Sequence, residues 1–391
     1  MTMKAYPPLT MERFWHSARR RHDKSMNSNR ISRLLTAMLC VSALAVLSGC
    51  VPKRPATDVT PEEIETTVLF IGDAGEPDPR RNSAVLDSMR AMAALAPERT
   101  IIVFLGDNAY PFGIPRDTSD YYEDARRRLM SQVDAIPPGA KGIFVPGNHD
   151  WAASGPHGLY AVRQEERMIL QMAKARGRDI RMYPGNGCPG PAALDIGRLR
   201  LILLDTQWWL HEFIIRDELS NCATDMGVVT ATLREMVKST ADGRVSIAAG
   251  HHPLMTGGEH GGYCGMTGPF RRLGGQSQDI LSSLNRNMRD SLESAFRAKP
   301  PVAYAAGHDH NLQVMKGAPA VQYLLVSGAG SASKASCAVY LRESYYVSQH
   351  RVGFMRVDIL KGKGVVLSVF DYTGGGTGTR GDPFARWLEA K

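Results

Sequence analysis

Five short apolar runs in this chain each lead into a glycine, and each glycine is followed by a residue able to bind a metal ion. Val68 to Ile71 leads into Gly72-Asp73, and Ile101 to Leu105 into Gly106-Asp107-Asn108. Ile143 to Val145 leads through Pro146 into Gly147-Asn148-His149-Asp150. Val245 to Ala249 leads into Gly250-His251-His252, and Val302 to Ala306 into Gly307-His308-Asp309-His310. Apolar runs this short, bounded by glycine, predict strands buried on both faces. The glycines stand 34, 41, 103 and 57 residues apart, which excludes a solenoid repeat.

Helical patterns fall between the strands. Asn82 or Ser83 is placed to cap a helix carrying Val85, Leu86, Met89 and Met92 on one side. Tyr121 to Val133 forms a second, and Asp279 to Ala298 a long third. Strand, helix, strand predicts an α/β fold with parallel pairing and right-handed crossovers. Loops at the carboxyl ends of such strands meet at one edge of the sheet, where ligand sites form. At 391 residues and 43% apolar, the chain can bury a large core as one large or two modest domains.

The loop tips carry Asp73, Asp107, Tyr110, Asn148, His149, His251, His308 and His310. Oxygen and imidazole donors without thiolates suit iron, zinc or manganese. Two ions need about eight protein contacts with one shared carboxylate, which this set supplies if Asp107 bridges. A lone Gly-Asp is usually a turn, and a lone His after a strand is usually structural. The joint pattern of five strand ends carries the inference.

These motifs resemble the calcineurin-like metallophosphoesterases, and among them the small purple acid phosphatases of the tartrate-resistant type. The matching blocks are Gly72-Asp73-Ala74-Gly75, Gly106-Asp107-Asn108-Ala109-Tyr110, Gly147-Asn148-His149-Asp150, Ala249-Gly250-His251-His252-Pro253 and Gly307-His308-Asp309-His310. Ser327-Gly328-Ala329-Gly330 also fits the small purple type, and the match spans roughly residues 66–372. The resemblance implies a four-layer αββα sandwich of two mixed sheets, with a dinuclear metal site at strand C-terminal ends. Most of the superfamily has Asp-x-His in the first block; here the His position is Gly75. Purple acid phosphatases make that swap and recruit a tyrosine, here Tyr110. A phenolate is a hard anionic donor and favours a trivalent ion.

Carried over by position, one ion takes Asp73, Asp107, Tyr110 and His310, and is expected to be Fe(III). The other takes Asp107, Asn148, His251 and His308, and is expected to be Fe(II), zinc or manganese. The resemblance assigns His149 to transition-state charge and leaving-group protonation, and His260, in Gly258-Glu259-His260-Gly261, to a second acid role. His252 and Asp150 are expected behind the ligands rather than on the metal. The implied reaction is hydrolysis of a phosphate monoester by in-line attack of a metal-bound hydroxide. Two other readings are a phosphodiesterase acting on nucleotides or lipid head groups, and a non-catalytic binding module. Eroded ligands would mark the latter, and none is missing. Trp151, His157, Trp208, Trp209 and His211 could stack on a leaving group or simply belong to the core.

The first fifty residues read as an address. Leu34 to Leu47 is apolar and uncharged, follows Arg30 and Arg33, and is short for a membrane span. It ends Leu47-Ser48-Gly49-Cys50, which resembles the lipobox of bacterial lipoproteins, with Cys50 as the acylated residue. The expected organisation is a signal peptide over 1–49, a lipidated cysteine and Pro-containing tether over 50–65, a catalytic domain over 66–372 and a polar tail over 373–391. A start at Met26 would give a compact signal, leaving 1–25 as a mis-called start. The expected location is the cell envelope, on the periplasmic face of the outer membrane, since Val51 rather than Asp follows Cys50.

The net charge of +8 belongs mostly to that leader. Eight of the 47 basic and two of the 39 acidic residues lie in 1–50, leaving 39 against 37. A nearly neutral body offers no basis for nucleic-acid binding. The expected partners are a small phosphate ester and a membrane reached through the lipid; nothing specifies a protein partner. Cys40 lies in the signal, and Cys188, Cys222, Cys264 and Cys337 remain in the body, where an oxidising compartment allows three disulfide connectivities. Without a Cys-x-x-Cys pair they do not suggest a zinc-thiolate site. Arg380-Gly381-Asp382 is too common a tripeptide to indicate adhesion, and Gly374-Gly375-Gly376 lacks the Gly-Lys-Ser/Thr of a phosphate loop.

Overall fold

A strand apolar at every position needs cover on both faces, and this chain provides it with two sheets back to back and helices outside each. The structure is a computed structural model that describes residues 55–76, 83–211, 221–273, 276–362, 364–373 and 384–388. The signal segment, Cys50, Asn82, the Gly374 triplet and Arg380-Gly381-Asp382 lie outside the described residues.

In chain order the strands and helices are β1 (Ile64–Ile71), α1 (Ala84–Ala93), β2 (Thr100–Phe104), α2 (Tyr122–Asp134), β3 (Lys141–Phe144), α3 (Gly158–Arg176), β4 (Ile180–Met182), β5 (Ala192–Ile196) and β6 (Leu199–Leu203). There follow α4 (Gln207–Leu210), α5 (Met226–Lys238), β7 (Val245–Ala249), α6 (Gly268–Arg271), α7 (Ser283–Phe296), β8 (Ala303–Ala306), β9 (Leu312–Lys316), β10 (Tyr323–Ser327), β11 (Ser344–Ser348), β12 (Val352–Leu360), β13 (Val365–Tyr372) and β14 (Phe384–Leu388).

The first sheet runs β14-β13-β12-β1-β2-β3-β4 and the second β11-β9-β10-β8-β7-β6-β5. Strands β1 to β4 pair in parallel, as do β6, β7, β8 and β10, in line with helical crossovers. The additions at the sheet flanks pair antiparallel. Both sheets are therefore mixed.

Alternate residues of the same strand face different layers. Val68, Phe70, Val103 and Ile143 of the first sheet pack with Leu201, Ile247 and Ala305 of the second in one buried cluster. Leu69, Ile71, Ile102 and Phe104 turn outward to Leu86 and Met89 of α1, Leu129 and Val133 of α2, and Ile169 of α3. On the other side Ile202, Ala248 and Tyr304 meet Leu233 and Val237 of α5, and Leu292 and Phe296 of α7. This is a four-layer αββα sandwich. Each such side chain fully buried contributes about 1.5–3 kcal/mol, which is why strand faces that see no water carry almost nothing polar.

Two boundaries differ from expectation. The helix expected from Asp279 begins at Ser283, where the Ser282 hydroxyl accepts the Asn285 N–H as N-cap. Asp279 lies in the turn before it, wholly buried. The stretch expected as a tail contains β14, which pairs with β13 and buries Leu388. The four cysteines pair as Cys188–Cys222 and Cys264–Cys337. Among the described residues no helix is long and apolar enough to cross a membrane.

Candidate dinuclear metal centre

Five loops meet where the carboxyl ends of β1, β2, β3, β7 and β8 approach each other across the two sheets. Backbone hydrogen bonds stitch the ends together: Gly72 N–H to the Ser327 carbonyl at 2.7 Å, Asp73 N–H to Gly106 at 2.9 Å, and Gly307 N–H to His251 at 2.9 Å. Asp73, Asp107 and His308 have left-handed φ values of 59°, 55° and 68°. Non-glycine residues avoid that region, so a fold that holds three of them there over-determines those loops. Gly147 is required by close approach, since a Cβ would lie 2.3 Å from Asp107 Oδ1.

The expected residues form two clusters. In the first, Tyr110 Oη lies 3.0 Å from Asp73 Oδ1, 2.9 Å from Asp107 Oδ2 and 3.1 Å from His310 Nε2. In the second, His251 Nε2 and His308 Nδ1 lie 3.0 and 3.1 Å from Asn148 Oδ1, and 3.2 Å from each other. Asp107 joins them: its Oδ2 faces Tyr110, while its Oδ1 lies 3.5 Å from His251 Nε2.

The hydrogen bonds behind the second cluster show what it can hold. His251 Nδ1 sits 2.8 Å from the Leu105 carbonyl, and His308 Nε2 3.3 Å from the Gln278 carbonyl. A carbonyl only accepts, so in each neutral imidazole that nitrogen carries the hydrogen. The remaining lone pairs of both rings and the amide oxygen of Asn148 then converge on one point. With His251 neutral these three acceptors, 3.0–3.2 Å apart, could hold a cation; without one, Asp107 and Asp73 overcome burial and favour a proton on His251. The donor set suits a borderline metal there, and harder anionic oxygens surround the first cluster.

Charge follows the same division. Burial alone would raise Asp107, but His251, His149 and the His149 N–H hold its carboxyl below the usual carboxylate range. Burial and the carboxylates of Asp107 and Asp73 push the Tyr110 phenol well above its ordinary value. Without a cation the phenol keeps its proton; a strong Lewis acid is needed to displace it. Burial and the neighbouring rings of His260, His252 and His251 hold His308 neutral, the form that ligates.

His149 lies at the edge of the first cluster. Its Nδ1 donates to the Pro111 carbonyl at 2.7 Å, and its Nε2 lies 4.0 Å from Asp107 Oδ2. His260 is brought against the second cluster, with its ring centroid 3.8 Å from that of His308. His252 brings a nitrogen within 4.8 Å of His251 and His308, but both its nitrogens are engaged. Thr206 Oγ1 lies 2.8 Å from Nδ1 and Gln278 Oε1 2.6 Å from Nε2, which leaves no lone pair for a metal. Asp150 accepts from the backbone N–H groups of Gly147, Asn108 and Ala109 and from the Asn108 side-chain amide. It ties the second loop to the third. Trp151, Trp208 and Trp209 are buried in the core, and His157 is exposed away from it.

Several residues behind the site were not anticipated. Thr206 Oγ1 accepts the N–H groups of both His251 and His252, and Asn108 Nδ2 bonds the Val145 carbonyl and Glu165. Thr206 carried a readable signal: Leu201 to Leu204 is an apolar run that ends in Asp205-Thr206, a strand end like the five others but without a glycine. Gln278 and Asp279 carried none, being two polar residues in a polar loop.

Neither a protein-family profile nor a curated protein matches this chain. Solved structures do. GAP50, described as the anchor in the inner membrane complex of Plasmodium, is 16% identical with a TM-score of 0.53, over 84% of this chain and 90% of that one. Purple acid phosphatase PPD1 from yellow lupin seeds is 15% identical with a TM-score of 0.51, over 82% of this chain and 53% of that one. The chain thus spans about half the length of the lupin enzyme. At these identities the likeness establishes the fold, a metallophosphoesterase-like sandwich.

Proposed function

We propose that this chain is a dinuclear-metal phosphoesterase that hydrolyses phosphate monoesters, close in type to the small purple acid phosphatases. The observation that carries the reading is Asp107, a buried carboxylate whose two oxygens face two different donor clusters. Asp73, Tyr110 and His310 complete the set for one ion, expected as Fe(III). Asn148, His251 and His308 complete it for the other, expected as Fe(II), zinc or manganese. Such a pair of cations supplies polarisation of the phosphoryl oxygens and a lowered pKa for water. Fold alone does not choose the activity, because a phosphatase and a protein described as an anchor both bear it. The complete donor set favours catalysis.

The protein's own groups do the rest. With Nδ1 tied to Pro111, His149 presents Nε2 to the cluster, where it can bind a phosphoryl oxygen, and it or His260 can pass a proton to the leaving alkoxide. No serine or cysteine nucleophile is needed. Elemental analysis and hydrolysis of para-nitrophenyl phosphate against its bis ester test the reading together. Two metals per chain and preference for the monoester are expected. Preference for the diester would move the reading to a phosphodiesterase, and a metal-loaded but inert protein would end it. Asp107→Asn should lose both ions, where Asn148→Ala should keep one; retention of both by Asp107→Asn would remove the shared role.

The lipobox-like Leu47-Ser48-Gly49-Cys50 and the two disulfides support an exported, lipid-anchored protein at the periplasmic face of the outer membrane. Its mature form should partition into detergent, and Cys50→Ser should not; unchanged partitioning would exclude the anchor.

A further inference from the structure

The turn ahead of α7 places two consecutive residues against three histidines. The Gln278 carbonyl faces His308 Nε2, Gln278 Oε1 faces His252 Nε2, and Asp279 Oδ1 lies 3.0 Å from His260 Nδ1. Asp279 is a fully buried carboxylate. Its Oδ1 also accepts from Arg271 Nη1 at 2.6 Å, and that same Nη1 lies 3.0 Å from His260 Nδ1. In whichever tautomer, Nδ1 of His260 is taken up by the Asp279–Arg271 pair. Nε2 is left without a partner among the described residues.

The backbone around this ring is held as firmly. His260 N–H donates to Asp309 Oδ1 at 3.1 Å, and the His260 carbonyl accepts from Ile280 N–H at 3.0 Å. Asp309 stands between His308 and His310, and its other oxygen accepts the Thr256 hydroxyl. The backbone is thereby held on both sides of the residue and the ring is held at Nδ1, tilted 30° against the His308 ring. Burying a carboxylate costs several kcal/mol unless charged or hydrogen-bonding partners offset it. Arg271 alone would supply that offset in a merely structural ion pair. The added contact with His260 gives the carboxylate a second task.

We propose that Asp279 is a positioning residue for proton donation by His260. It holds Nδ1, so that Nε2 faces the leaving oxygen of a phosphate ester. In the step, the oxygen of a water forms a new P–O bond and gives up a proton to solvent, the P–O bond to the leaving group breaks with its electron pair staying on the leaving oxygen, and the Nε2 proton moves onto that oxygen. This rests on the phosphoesterase reading and narrows it: esters of weakly acidic alcohols depend on the His260–Asp279 pair, and esters of acidic phenols do not.

The test compares β-glycerol phosphate with 2,4-dinitrophenyl phosphate in the wild type, His260→Ala, Asp279→Asn and the double variant, each with metal content measured. Asp279→Asn should lower kcat/KM for glycerol phosphate about 10–100-fold and for the dinitrophenyl ester less than about threefold. Metal content should stay at the wild-type value. His260→Ala should show the same leaving-group selectivity, Asp279→Asn should add little in its background, and Asp279→Glu should restore part of the loss. Asp279→Ser serves if the Asn variant does not fold. An equal loss on both esters, or a loss that persists undiminished in the His260→Ala background, would overturn the assignment and leave the phosphoesterase reading standing. A wild type inert on both esters would remove that reading and the assignment with it.

Discussion

Tyr110 is only 2% exposed, and its hydroxyl meets two carboxylates and an imidazole. A phenol so placed gains nothing from ionising until a cation displaces its proton, because burial, Asp107 and Asp73 all oppose the phenolate. Tyr110→Phe should therefore remove the visible absorption expected of the iron-loaded protein. The Phe ring fills the same space, so the melting temperature should change little. A retained visible band would show that the colour, and the trivalent ion, belong elsewhere. The residue types gathered here were legible from order alone, since each follows one of five strands, with Asp107 and Tyr110 after β2 and His308 and His310 after β8. The roles of His252 and Asp150 depended on neighbours 26 to 46 positions away, such as Gln278, Thr206 and Asn108.

At the scale of elements, the first and second loops are fitted together through Gly75. A Cβ there would lie 2.3 Å from the Asn108 carbonyl carbon and 2.5 Å from the Asp107 oxygen. Both atoms are backbone and cannot rotate away. Gly75→Ala should lower stability by about 1–3 kcal/mol in thermal or urea unfolding. Because the atoms displaced carry Asp107 and Tyr110, metal content should fall as well. Normal metal content with normal stability would show that the loops can separate freely. The contact gives a physical reason for a glycine at this position. Strands were readable here because burial on both faces leaves an unbroken apolar run. Strand β14 was not, since Phe384 to Leu388 is mixed and half-buried, and only its pairing with β13 makes it a strand.

At the scale of the whole molecule, stability carries a pH dependence from the core behind the site. Burial pushes the Asp205 carboxyl up to about 7, against the pull of the Trp151 Nε1–H 2.8 Å away. A carboxyl that holds its proton to higher pH when folded makes the native state bind more protons than the unfolded chain. Its contribution is full below the unfolded pKa and is lost as pH rises through the folded one. Between about pH 4 and pH 7 stability should fall by up to about 1.4 kcal/mol per unit from this group. Asp205→Asn should flatten that dependence at fixed metal loading. An unchanged slope would mean that Asp205 ionises normally in the folded protein.

The order of amino acids by itself determined the inventory: five buried strands and the oxygen and nitrogen donors at their ends. Those features are local, set by periodicity of two along a strand and by what immediately follows a glycine. Only the tertiary structure decided which nitrogen of each histidine is left bare, how four cysteines pair, and that Asp279 belongs to a turn against His260 rather than to a helix. Hydrogen-bond partners and close contacts join residues tens to hundreds of positions apart, and no local pattern encodes them.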